Sequence, residues 1–174
     1  MDNIGKEAIR DLLAKNWMTH DAMWFHHAVE TQGMDAANQI NKAAIRSLAP
    51  IEVLRIMDLL GTHPDDVKSF EPLKHFLFTT LALIMPSSVR EKWRFNAVDE
   101  NKFHWAWQDG ECFAFKGMQR MGYLEDYRCA VIYRIERWLH TLNIKYNMEP
   151  KIGTCIMHRT GSCTGEITIT SYAD

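Results

Sequence analysis

Residues 92–108, KWRFNAVDENKFHWAWQ, decide the fold class. Lys92 to Val98 and Asn101 to Gln108 alternate in part and are rich in aromatic and β-branched residues, which suits a pleated surface with one buried face. Asp99-Glu100-Asn101 between them is a turn signal, so the stretch reads as a β-hairpin. Gly110 breaks the second strand.

Upstream of Pro86 the chain reads as helix. Ile4, Ala8, Ile9, Leu12 and Leu13 recur at helical spacing over Ile4 to Ala14. Thr19 reads as the N-cap of a second helix, Asp21 to Glu30, with Gly33 as its stop. Asp35 caps a third, Ala36 to Leu48. Pro50 stands at the first turn of a fourth, Ile51 to Leu60, closed by Gly61. His63-Pro64-Asp65-Asp66 opens a further segment, and Pro72 begins a helix that runs to Leu83 and ends at Pro86.

Downstream, Cys112 to Arg120 reads as a short helix stopped by Gly122. Asp126 caps a long helix to Leu142, with Val131, Ile135, Trp138, Leu139 and Leu142 as its buried stripe. Two more strands, Ile152 to Met157 and Glu166 to Ser171, flank a turn at Gly161. The expectation is an α+β fold in one domain, 1–174. Residues 1–86 are mostly helical, and 87–174 form an antiparallel sheet of about four strands covered by helices.

Composition excludes several functions. Hydrophobic residues make up 47% and charged residues 24% of the 174, ordinary for a globular chain. With 20 basic and 22 acidic residues the net charge is -2, so nothing draws the chain to nucleic acid or an anionic membrane. Met1 to Arg10 is polar and lacks the apolar core of a secretory signal. Leu77 to Met85, broken by Thr79 and Thr80, is too short to cross a bilayer. A cytoplasmic protein is expected, its cysteines thiols, thiolates or metal ligands rather than disulfides. No dinucleotide-binding G-x-G-x-x-G, phosphate-binding Walker loop, H-E-x-x-H or G-x-S-x-G is present.

All four cysteines, Cys112, Cys129, Cys155 and Cys163, fall in the C-terminal half, separated by 16, 25 and 7 residues. Cys112 is placed where a strand enters a helix, Cys129 in the first turn of the long helix, Cys155 on a strand and Cys163 just before the last strand. Helix N-termini favour thiolates. One reading is a metal site, a zinc ion or an iron–sulfur cluster, with all four as ligands, although no C-x2-C spacing supports it. A second is a reactive or redox-active pair of thiols. The third is that free cysteines fill the core as small hydrophobes.

His20, Trp24 and His27 share a helix face beside Asp21. His20 or Asp21 could serve as a general base, with Trp24 lining the substrate, or the stretch could simply be an amphipathic helix. Arg128, Arg134 and Arg137 project from the long helix, and Arg134 could hold a substrate carboxylate. A solvated, ion-paired face explains the same residues.

Several motifs together resemble a known family. They are Met18-Thr19-His20-Asp21 with Trp24-Phe25, Ala37-Asn38 with Asn41-Lys42, and Leu48-Ala49-Pro50-Ile51-Glu52. In the second half they are Cys112-Phe113-Ala114-Phe115-Lys116-Gly117-Met118, Tyr127-Arg128-Cys129, Tyr133-Arg134-Ile135-Glu136, Trp138, Pro150-Lys151-Ile152, Cys155 and Gly161-Ser162-Cys163. The chain is similar over nearly its whole length to a bacterial and archaeal cytosolic family of unknown function related to L-2-amino-thiazoline-4-carboxylic acid hydrolase. The resemblance implies that the four cysteines are a family pattern and that a small amino-acid-like or carboxylate ligand meets Arg134. No catalytic residue of the hydrolase carries over onto a position here.

The leading expectation is therefore a small-molecule enzyme or ligand-binding relative with a site between sheet and long helix. Cys112 and Cys129 line it, a thiolate acts as nucleophile or metal ligand, and His20 or Asp21 moves protons. The alternatives are a metal- or redox-sensing protein on the same cysteines, and an interaction module that forms a homodimer through exposed aromatics.

Overall fold

The computed structural model describes residues 4–172. The chain runs α1 (Lys6–Gln32), α2 (Met34–Leu60), a 3-10 turn (Pro64–Asp66), α3 (Phe70–Ile84), α4 (Ser87–Arg90), β1 (Trp93–Asp99), β2 (Lys102–Trp107), α5 (Phe113–Met121), α6 (Val131–Thr141), β3 (Lys145–Glu149), α7 (Ile156–Thr160) and β4 (Thr164–Ser171). A helical first half is followed by one antiparallel sheet of order β1-β2-β4-β3.

The hairpin read from 92–108 is present, with Trp93 opposite Trp107, Phe95 opposite Trp105 and Ala97 opposite Phe103. Period-2 alternation then sends Phe103, Trp105 and Trp107 of β2 and Gly165, Ile167 and Ile169 of β4 to one buried face. α3 lies on that face: Phe70 stacks on Phe103 at 4.6 Å, and Phe78 meets Phe95 edge-on at 5.9 Å. α6 packs beside α3 through Trp138 and Phe76, 6.5 Å apart. Ile132, Ile135, Trp138 and Leu139 are buried there.

Four boundaries differ from the sequence reading. α1 and α2 are unbroken 27-residue helices rather than four shorter ones. Thr19 does not cap; its Oγ1 donates to the Lys15 carbonyl at 2.9 Å, a bond compatible with a helix interior. Pro50 sits inside α2 on its exposed side, where water can satisfy the carbonyl that the missing N–H leaves free. Gly33 alone separates the two helices, at φ 82° and ψ 165°, a conformation nearly confined to glycine.

The long helix begins at Val131, not Asp126. The buried Asn38 of α2 holds the preceding backbone out of the helix: its Nδ2 donates to Asp126 O at 2.9 Å and its Oδ1 accepts from Arg128 N at 3.0 Å. Cys129 N donates to Gly153 O at 3.0 Å. In the last hairpin the third strand is Lys145–Glu149, an edge strand with only Met148 buried, while 152–155 leads into α7, which takes in Ile156 and Met157.

Among the described residues no helix is long and apolar enough to cross a membrane.

Candidate functional site

α1 has only one buried residue, Phe25, in 27. It is held at its ends. Near the first turn, both Asp11 carboxylate oxygens accept from Ser87 N at 3.2 Å, and Arg10 donates to Asp11 at 2.9 Å and to Ser87 Oγ at 3.0 Å. Near its end, Phe25 meets Tyr127 edge-on at 5.7 Å, and Tyr123 Oη donates to Glu30 at 3.0 Å with His26 Nδ1 2.9 Å away.

Between these clamps α1 spans a cavity of about 300 Å³. The wall is mostly apolar and aromatic, drawn from α1 (Trp17, Phe25), α2 (Ile45, Leu48), α3 (Leu81, Ile84), β1 (Trp93), α5 (Phe113, Met118) and α6 (Val131, Ile135, Trp138). Asp21, Asn41 and Arg134 are its charged or amide side chains. A second hollow of about 480 Å³ between α1 and α2 adjoins it, sharing Asp21, Phe25, Asn41 and Ala44.

One wall is built around an ion pair joining α2 to α6. Arg134 donates to Glu52 from Nε at 2.9 Å and also from Nη2, a two-pronged pairing. Glu52 Oε2 accepts a further bond from Trp138 Nε1 at 2.7 Å. The Trp17 ring lies over the Arg134 guanidinium at 4.4 Å, with Trp138 at 5.8 Å. Side-chain exposure is 17% for Arg134 and 12% for Glu52. Facing them, the surrounding protein raises the Asp21 carboxyl above its ordinary value, and the charges of Arg134 and His20 offset part of the rise.

The family model for DUF6125, a family of unknown function, matches residues 3–160. The chain belongs to that family. No curated protein matches the sequence. A trafficking protein particle complex subunit 3 from Naegleria fowleri, covalently bound to palmitic acid in its crystal structure, is similar over 97% of this chain and 99% of that chain. The identity is 11% and the TM-score 0.48, a likeness that carries no functional argument.

In this DUF6125 protein the residues singled out from sequence divide into separate groups. Asp21 and Arg134 share the cavity, and Trp24, 68% exposed, lines the second hollow with His27. His20 is exposed, its ring 6.5 Å from Trp24, and it reaches Asp21 through charge alone. The residues around Cys112 and Cys129 (Phe113, Ala114, Ala130 and Val131) line the cavity, but none of the four cysteines does.

Charge on Cys112 would be felt by Cys129 and Cys163, and charge on Cys163 by Cys129 and Cys155. Cys112 N-caps α5 and Cys155 N-caps α7, rather than lying on a strand, while Cys129 precedes the first turn of α6. Burial pushes the Cys112 thiol far up, and the N–H groups of Phe115 and Ala114 offset only part. It also raises Cys129 against the N–H groups of Ile132 and Val131, and takes Cys163 up to about 12. Desolvation thus outweighs the helix termini on which the thiolate expectation rested. Among the described residues no three His, Cys, Asp or Glu side chains are grouped to hold a metal ion.

These shifts set an expected result. All three raised thiols stay protonated at pH 8, so a thiol reagent reacts slowly with the native protein and rapidly with four thiols after denaturation. Their folded values lie above the ordinary 9.0, so the folded state holds these protons more tightly. That contribution to stability is complete below about pH 9 and is lost as pH rises through the folded values. Urea melts at pH 8 and pH 10 check the sign. A fast-reacting native thiol at pH 8 would contradict the burial argument.

The sequence reading passed over Glu52 and Trp17 as site residues. Arg134 and Trp138, four apart on α6, share a face and so signal a common partner. That partner lies 82 positions upstream, which no local pattern reveals.

Proposed function

We propose that this chain binds a small apolar molecule in the cavity beneath α1, and that any hydrolase-like reaction, of the kind the resemblance implies, takes place there. The observation that carries the reading is the cavity itself. Protein interiors are close-packed, and voids larger than a water molecule are few. This one is open to solvent on one side, and a concave, mostly apolar wall of this size with a few polar side chains is the form that small-molecule sites take. The end-clamped, sparsely buried α1 above it supports the same reading, since a cover that contributes little to the core can shift to admit a ligand.

The acid–base group at the wall is Asp21, whose carboxyl partial burial holds above its ordinary value. The cysteines contribute through the residues beside them, which shape the cavity floor.

Trp17, Trp93 and Trp138 line the space, so intrinsic fluorescence reports occupancy. Titration with 1-octanol, a neutral apolar probe, is expected to give a saturable fluorescence change and a higher melting temperature. Ala22→Trp, which places a large ring in the cavity from α1, is expected to abolish both while leaving the protein folded. Octanol titration without saturation in the unmodified protein would refute the reading.

A further inference from the structure

Arg134 looks like an anchor for an acid, but the surroundings of its guanidinium argue otherwise. Two of its nitrogens already donate to Glu52, and Trp17 covers its face. Glu52 is itself fixed by the Trp138 indole. A ligand carboxylate here would compete with Glu52 for one cation and would also face Asp21. The three charged groups at this end, Arg134, Glu52 and Asp21, sum to one negative charge when Asp21 is ionised. His20, exposed on α1, is the other titratable group whose charge acts on Asp21.

Asp21 is the group without a fixed partner. Its side chain is partly open to solvent, and the influences on its carboxyl are partial desolvation and the charges of Arg134 and His20, with no hydrogen bond among them. A carboxylate in a partly apolar setting gains most from a charge-assisted donor. It stands where the two hollows meet, beside Asn41. Around it the walls are aromatic, with Trp17, Phe25 and Trp138 in the first cavity and Trp24 in the second. Aromatic faces attract organic cations and offer nothing to an anion.

We infer that the ligand of this cavity is an apolar molecule bearing a protonated amine, whose ammonium group pairs with Asp21 between Trp17 and Trp24, while Arg134 is a structural cation held by Glu52. The amine donates to the Asp21 carboxylate, the Asn41 side-chain oxygen supplies a second acceptor, and the apolar part lies against Phe25, Ile135 and Trp138. Asp21 is then the residue that sets ligand class. This inference rests on the cavity reading given above and names the chemistry of its occupant.

Three probes of equal chain length separate the possibilities: octylamine, octanoate and 1-octanol, titrated at pH 7 below their aggregation concentrations and followed by tryptophan fluorescence. Octylamine is expected to bind at least about tenfold more tightly than octanoate, the factor that one charge-assisted hydrogen bond supplies. Asp21→Asn is expected to remove that preference while octanol still binds saturably. Octanoate binding as tightly as octylamine would overturn the inference, as would an amine preference that survives in Asp21→Asn, and in either case octanol binding would leave the cavity reading standing. Failure of all three probes to bind would overturn the cavity reading and this inference together.

Discussion

Replacing Glu52 with alanine is expected to destabilise the fold by about 3 kcal/mol or more, because removing one member of a buried ion pair leaves the other charge uncompensated. Glu52 accepts from Arg134 twice and from the Trp138 indole at 2.7 Å. Alanine would orphan the guanidinium and the indole N–H together, both on α6. The same change removes one polar tie between α2 and α6, leaving the Arg46 bond to Tyr133 Oη at 3.3 Å, Lys42 over the Tyr133 ring at 4.9 Å and the apolar packing of the two helices. At about 2–4 °C per kcal/mol for a chain of this size, the melting temperature should fall by about 6–12 °C. Glu52→Gln keeps an acceptor for Trp138 and should cost less. Pairing Glu52→Leu with Arg134→Met should be milder than either single change, since the uncompensated charge is removed with its partner. Urea unfolding of the four forms gives the coupling directly. Strictly additive losses would show that the pair is not the unit described.

How much of this could be seen in the sequence depends on the range over which each feature is determined. The 92–108 hairpin was legible because two alternating aromatic runs and a turn lie within one short window. The stripe on α6 was legible for the same reason: Ile135, Trp138 and Leu139 follow helical spacing and all are buried. Features that local signals misplaced were settled by the surroundings of each residue, near or distant. Thr19 and Pro50 carry the marks of helix starts, yet the surroundings tolerate both inside long helices. Residues 126–129 read as helix until Asn38, about 90 positions away, takes their backbone hydrogen bonds.

The candidate site shows the same division. Arg134 and Asp21 could be named as chemically interesting from their residue types and neighbours. That Arg134 is already satisfied depends on Glu52, and that Asp21 faces a cavity depends on five helices meeting around it. For the cysteines, sequence position captured the favourable helix-terminal N–H groups. It could not capture the larger desolvation, which is a property of the packed core.

Gly165→Ala should produce a loss of comparable size at the opposite side of the core. Gly165 lies directly across from Trp105 in the β2–β4 ladder, at a cross-strand pair on the buried face. A Cβ added there would sit 2.3 Å from two atoms of the Trp105 ring and 2.6 Å from the Glu149 carbonyl oxygen. The first contact could be relieved only by moving a fully buried indole, and the second only by shifting the backbone of β3. Overpacking a well-filled core costs about 1–3 kcal/mol, and a clash with backbone as well as ring places this substitution at the upper end. The glycine is therefore required by the indole that covers it, not by its own backbone angles. That origin is separable: with Trp105→Leu in the same chain the ring is gone, and Gly165→Ala should then cost clearly less than it does alone, although Trp105→Leu itself leaves a cavity. Urea melts of the two single variants and the double variant measure the difference. An equal cost of Gly165→Ala with and without the indole would assign the constraint to the Glu149 carbonyl alone, and so to the register of β3 on β4.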